Sequence, residues 1–320
     1  MTKLACIIQG TLRRGFEEVL VAMGRLFPLV IVSTWKEEGP KLPAGRYEVV
    51  LSDPPPCPGI GNRYLQRCGV VAGLAAARSL GSTHVLRWRT DLLPTQLDPL
   101  SLLRRAERDV PAGLSSRVVL SAWRNLSVEP DWFSSLPDLF MFSDLVSMER
   151  LWSVTGMDLS KPVNFPPEMV KDLGITFDAV ANRLELNGRT YNLNQAFDTH
   201  IELYAWLRSR LQNELGRVLD HPTIALSALS LVNHRRLGVC WFKDCPELQF
   251  RPIINAVNFR WWTERNWKQR TPPPLTPVGW PERSPRFAWQ CWNSLRVREE
   301  MWSQRRRYLA RAHASAISEI

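Results

Sequence analysis

Arg87, Arg89 and Asp91 stand at two-residue intervals in the stretch His84-Val85-Leu86-Arg87-Trp88-Arg89-Thr90-Asp91-Leu92. Its apolar opening reads as a buried strand, and side chains at i and i+2 of a strand share a face. The two guanidinium groups therefore point the same way, with one carboxylate just past them at the strand's carboxyl end. Guanidinium forks bind phosphate in two-point contacts, and a carboxylate can hold a divalent cation. That combination suits a nucleotide-diphosphate donor and predicts a nucleotide-sugar-dependent glycosyltransferase. Asp91 is the candidate ligand for Mg²⁺ or Mn²⁺. Two arginines beside one acid also permit a metal-free version. A plain alternative is a strand end whose arginines are solvated or paired with acids.

Other strands are needed to bring partners to this one. Leu4-Ala5-Cys6-Ile7-Ile8 is a continuous apolar run, the pattern of a strand buried on both faces, and it ends in Gln9-Gly10-Thr11. Leu29 to Ser33 is a second such run, closed by Thr34-Trp35, and Tyr47 to Leu51 a third, closed by Ser52-Asp53-Pro54. Helical periods separate them over residues 15–26 and 62–79. Strand–helix alternation of this kind predicts a mostly parallel sheet with helices on both faces. In such sheets ligands sit beyond the carboxyl ends of the strands. Gln9, Thr34, Asp53, Arg87 and Arg89 are accordingly expected to line a donor pocket there.

Farther along, a helix is expected over 97–107, strands over Arg117–Ser121 and Phe140–Asp144, and a helix over 147–155. Residues 160–195 read as loop with a small hairpin around Leu184–Tyr191, and Asn194–Leu219 as an amphipathic helix. Asp144 ends a late strand on the expected active edge. It is the first candidate for the base that inverting transfer requires to take the acceptor hydroxyl's proton. Glu202 and Asp198 follow it. The alternative is that Asp198 caps the helix and Glu202 pairs with Arg208 or solvent. Gly59-Ile60-Gly61-Asn62-Arg63 lacks the third glycine of a dinucleotide-binding turn. Asn62 and Arg63 instead open a helix, and helix N-termini favour phosphate.

Charge sets the remaining bounds. The formal net charge of the 320 residues is +10, and only seven of the 41 basic residues are lysine. An arginine excess admits phosphorylated ligands, anionic lipid headgroups and nucleic acid as partners. Six scattered cysteines form no Cys-x-x-Cys pair, which fits a reducing compartment. No signal peptide and no apolar run of membrane-spanning length is visible, so a cytoplasmic protein is expected. Beyond residue 230 the composition changes. Eight tryptophans fall between Trp241 and Trp302, and Trp292 to Ala312 alternates apolar positions with six arginines. That pattern allows peripheral contact of 292–312 with an anionic membrane, or a helix docked on the protein with a solvated basic face. Two units follow: a catalytic domain over 1–230 and a mainly helical, basic, tryptophan-rich extension over 231–320.

Ile8-Gln9-Gly10, Ser33-Thr34-Trp35, Ser52-Asp53-Pro54, Asn62-Arg63 with Gln66, Arg89-Thr90-Asp91 and Phe142-Ser143-Asp144 occur in order. Together with Ile201-Glu202-Leu203-Tyr204 they resemble the WavE lipopolysaccharide-synthesis family over roughly residues 4–215. The resemblance implies a GT-A-like α/β fold, a nucleotide-sugar donor and a glycan or lipid-linked acceptor in bacterial surface-polysaccharide synthesis. A non-catalytic, basic nucleic-acid-binding protein is the competing class, with arginine and tryptophan supplying phosphate contacts and stacking. No nucleic-acid-binding module is visible in the sequence, so nucleic acid is not the expected partner.

Overall fold

The computed structural model describes residues 2–241 except 14, 60–61, 95, 122–135, 137–138, 179–182, 187–188, 193–200, 220, 233–236 and 238, together with 268–269. Seven strands form the central sheet. In chain order they are β1 (Leu4–Gln9), β2 (Leu29–Trp35), β3 (Glu48–Ser52), β4 (His84–Arg89), β6 (Val118–Ser121), β7 (Met141–Asp144) and β11 (Leu229–Val232). The short β5 (Leu92–Pro94) leaves the sheet and pairs antiparallel with β12 (Val239–Trp241). A separate antiparallel ribbon contains β8 (Thr176–Asp178), β9 (Arg183–Leu186) and β10 (Arg189–Asn192).

Across the central sheet the order is β11-β6-β7-β4-β1-β2-β3. β1, β2, β3 and β4 run parallel. β7 alone is reversed, antiparallel to both β4 and β6. The α/β, mostly parallel sheet expected from the apolar runs is therefore what the chain forms. The strand at Phe140–Asp144, expected to end on the active edge, corrects that expectation. Its reversal sends its end to the opposite edge, because Asp144 pairs in register with His84, the first residue of β4.

Alternation along each strand sorts the core into two layers. Cys6, Ile8, Val30, Val32, Leu86 and Trp88 face α1 (Phe16–Leu26) and α3 (Pro99–Glu107), meeting Val19, Met23 and Leu102. Ile7, Ile31, Val85, Met141 and Leu231 face the other way. They meet α2 (Arg63–Ser79), α4 (Leu145–Trp152), α6 (Ile201–Leu215) and α7 (His221–Ser227) through Val70, Leu74, Met148, Leu151, Leu207 and Ile224. Strands covered on both faces read as unbroken apolar runs, which is why β1 and β2 are visible in the sequence.

α2 lies unusually close to β1. A Cβ at Gly73 would stand 2.5 Å from Ile7 Cγ2, and one at Gly69 would stand 3.0 Å from Gln9 Cγ. Ser33 Oγ donates to Gly69 O at 2.6 Å and fixes the helix along the sheet. Three expectations are adjusted. A helix, α5 (Pro167–Leu173), interrupts the stretch read as loop. The helix expected over Asn194–Leu219 is described from Ile201 and stops at Leu215, where Gly216 follows with φ 63 and ends it in the left-handed conformation. The domain boundary placed between residues 230 and 231 falls inside β11.

Candidate functional site

Strand order changes direction at β1, with β2 and β3 on one side and β4 on the other. Loops leaving two such neighbouring strands diverge to opposite faces, which opens a crevice at their carboxyl ends. A cleft of about 210 Å³ lies there, lined among others by Gln9, Arg13, Trp35, Asn62, Arg87 and Asp91.

Each lining residue has an identifiable support. Gln9 is the last residue of β1, and Arg87 lies on β4 on the α2 face of the sheet. Arg87 is almost completely buried, yet it bridges Gln9, whose Oε1 accepts from Nη2 at 3.1 Å, and the ring of Trp152, 5.4 Å from its guanidinium carbon. A buried cation needs such contacts, since desolvation otherwise costs several kcal/mol. Arg89 and Asp91 form a two-point pair, Nε to Oδ1 at 2.8 Å and Nη2 to Oδ2 at 3.0 Å. The turn carrying them is stapled from within. Trp88 Nε1 donates to Leu92 O at 2.7 Å, and Thr90 Oγ1 donates to Thr11 O at 2.8 Å.

On the opposite wall, α2 brings its first turn. Asn62 precedes the helix with φ 61, a left-handed conformation that asparagine tolerates better than most residues. It lines the cleft together with Leu65 and Gln66. From the β1 loop come Gly10, Thr11 and Arg13. That loop is braced by Glu38, whose Oε2 accepts from Leu12 N at 3.0 Å.

Of the residues expected to meet here, Gln9, Asn62, Arg87, Arg89 and Asp91 do so. Thr34 does not: it alternates with Ser33 and Trp35 and is buried on the other face of β2, so Trp35 is the lining residue. Asp53 stands just past β3 at the same edge of the sheet but outside the cleft, exposed and paired with Lys36 Nζ at 2.6 Å. Arg63 is turned away from the cleft into a buried cluster. There it meets Glu202 at 3.0 Å, and Glu202 Oε1 accepts from Asn164 N at 2.6 Å. Burial pushes the Glu202 carboxyl above its ordinary value, against the opposing pull of Arg63. The expected pairing of Glu202 with Arg208 is replaced by this one, and Glu202 acts as a brace between α6 and the start of α2. Asp144 is a helix cap: Oδ1 accepts from Ser147 N at the start of α4. Asp198 lies outside the described residues.

Arg13, Trp35 and Gln66 are not singled out as site residues by the sequence. Arg13 carries no local signal beyond its nearness to the Gln9 turn, whereas Gln66 stands in the motif with Asn62 and Arg63 that contributes to the family resemblance. Trp35 is visible as the last residue of its strand, and counting faces outward from Ser33 would choose it over Thr34.

A divalent cation finds poor ligands here. Asp91 is the one carboxylate among the described lining residues, and both its oxygens face Arg89. Among the described residues no group of three His, Cys, Asp or Glu side chains is arranged to hold a metal ion. Mg²⁺ is commonly held by one or two carboxylates together with water and substrate phosphates, so the obstacle to Mg²⁺ or Mn²⁺ here is that Arg89 already engages both oxygens of that one carboxylate.

No protein-family model matches the chain, and no curated protein matches its sequence. The resemblance to the WavE family therefore rests on the ordered motifs alone. Among solved structures, the chain is similar to HddC from Yersinia pseudotuberculosis at 10% identity and TM-score 0.29, covering 47% of this chain and 79% of that one. It is similar to mannose-1-phosphate geranyltransferase from Thermus thermophilus at 14% identity and TM-score 0.30, covering 50% and 66%. Mouse xyloside xylosyltransferase 1 in its apo form matches at 11% identity and TM-score 0.30, covering 69% and 86%. Likenesses this distant assign no activity to the chain.

Proposed function

We propose that this protein is a nucleotide-sugar-dependent glycosyltransferase. Its acceptor is a glycan or lipid-linked glycan of bacterial surface-polysaccharide synthesis. One observation supports the reading above others: three arginines and the first turn of α2 surround a cleft at the switch point of a mostly parallel sheet. Phosphate favours both guanidinium groups and helix N-termini. Trp35 offers an aromatic wall for a nucleobase.

In the proposed reaction the acceptor's hydroxyl oxygen bonds to the sugar's anomeric carbon. The bond from that carbon to the diphosphate breaks, and the electron pair leaves with the nucleoside diphosphate. Charge develops on that leaving group, where fixed positive groups are most effective. The acceptor proton passes to a carboxylate. With Asp144 capping a helix and Glu202 buried in an ion pair, Asp198 is the proposed base for inverting transfer. Contact of residues 292–312 with anionic lipid would keep a lipid-linked acceptor near the cleft; those residues lie outside the described ones. No described helix is long and apolar enough to cross a membrane.

A thermal-shift panel of UDP-, GDP- and CMP-sugars, each with and without Mn²⁺, tests the reading. Ligand that binds only the folded state raises its stability in proportion to RT ln(1 + [L]/Kd). One nucleotide class is expected to raise Tm in a concentration-dependent way, and incubation with that donor to release the matching nucleotide. A flat panel at millimolar ligand would remove the proposal.

A further inference from the structure

Three guanidinium groups and one carboxylate face the cleft among its described lining residues, a surplus of two positive charges. The diphosphate linkage of a nucleoside-diphosphate sugar carries two negative charges. Asp91 is the side chain a cation would need, and Arg89 already engages it by two contacts of 2.8 and 3.0 Å. Pulling Asp91 away to bind a metal would cost that charge-assisted pair. It would also set a dication beside Arg87 and Arg89.

We infer that Arg13, Arg87 and Arg89 hold the donor's diphosphate directly, with Asp91 orienting Arg89 instead of ligating a metal. The inference rests on the glycosyltransferase reading and deepens it: the donor is a nucleoside-diphosphate sugar, bound without a cation. The three arginines differ in burial and position. Arg87 is fixed by Gln9 and Trp152 and supplies a preset charge at the cleft floor. Arg89 is oriented by Asp91 at the rim. Arg13 is exposed on the β1 loop and lines the cleft from that side. Positive groups fixed in place before the ligand arrives need no reorganisation as the leaving group gains charge.

Isothermal titration of the full chain with sodium pyrophosphate, UDP and GDP tests this, each run in EDTA and again in excess Mg²⁺. At least one of the three is expected to bind in EDTA, with an affinity within about threefold of that in Mg²⁺. Arg87 is buried against Trp152, so the variants are made at the more accessible Arg13 and Arg89. Arg13→Ala and Arg89→Ala should each weaken binding in EDTA by roughly tenfold or more, the scale of one charge-assisted contact. Asp91→Asn keeps an amide oxygen to accept from Arg89 Nε, so that side chain stays oriented, while it removes a negative charge from the cleft; it should tighten pyrophosphate by about threefold or more. Circular dichroism of each variant confirms that it is folded before its titration is read. Binding that appears only with Mg²⁺, or that weakens in Asp91→Asn, overturns the inference and leaves the glycosyltransferase reading standing. Binding in EDTA that ignores both arginine substitutions overturns the assignment to these side chains. No binding in either buffer overturns this inference and the nucleotide-sugar reading together.

Discussion

Arg87 is charged and has 1% of its surface exposed, so its neighbours must do what water does elsewhere. Gln9 Oε1 and the Trp152 ring are two of the contacts that hold it. A cation held this way is a fixed charge at the cleft floor, worth more to a bound anion than a surface arginine screened by salt. A second buried pair supports the opposite wall. Replacing Glu202 by Gln keeps an acceptor for Asn164 N but removes a carboxylate charge from beside the buried Arg63. Breaking a buried ion pair from one side costs on the order of 3 kcal/mol. The urea midpoint of Glu202→Gln should fall accordingly, with an unchanged denaturant slope. A midpoint equal to the native one would show that Glu202 braces nothing. Asp144 gives the opposite contrast. It caps α4 on the far edge of the sheet, so Asp144→Ala should lose about 1 kcal/mol of stability and bind nucleotide as the native chain does. Loss of nucleotide affinity in a folded Asp144→Ala chain would return it to the site.

At the level of elements, the position of α2 on β1 decides whether the cleft exists. Gly73 and Gly69 let the helix settle where a Cβ would collide with Ile7 or Gln9. Gly73→Val should push α2 outward at a cost of roughly 1–3 kcal/mol, typical of overpacking. It should also weaken diphosphate binding, because Asn62 and Gln66 move with the helix while the arginines stay on the sheet and its loops. Stability and affinity measured on the same sample check this. A destabilised variant with native affinity would uncouple the helix from the site. Much of this scaffold can be read from residues alone. β1 and β2 announce themselves as apolar runs, and the spacing of Arg87, Arg89 and Asp91 on β4 and its turn brings three residues to the cleft. β7 cannot be read as reversed, because Met141–Asp144 looks the same in either direction and only its partners fix its sense. Polarity favours Thr34 over Trp35, although strand alternation puts Thr34 on the wrong face. Arg13 depends on a loop that is braced from Glu38, a contact between residues too far apart in the chain to be inferred.

Over the whole molecule, the two edges of the sheet have separate electrostatics. One edge carries the cleft. The other carries His84 at the start of β4, stacked on Phe142 at 6.0 Å and 3.6 Å from Glu107, with Asp144 beside it in register. Burial pushes the His84 imidazole below its ordinary value, and the nearby Glu107 and Asp144 carboxylates offset this only in part. The folded chain therefore binds a proton at His84 less readily than the unfolded chain does. His84 contributes stability that is present above the ordinary histidine range and is lost as pH falls through the lowered folded value. Unfolding free energy should decline as pH drops from 7 toward 5, and His84→Gln should flatten that decline. The cleft edge does not share this titration, and distant sites without common partners add independently. The stabilisation by a bound nucleotide should then be the same size in the native chain and in His84→Gln at each pH. Urea titrations of both chains at pH 7 and pH 5, with and without ligand, measure all the quantities at once. A nucleotide effect that changes with His84 would mean that the two edges communicate through β4.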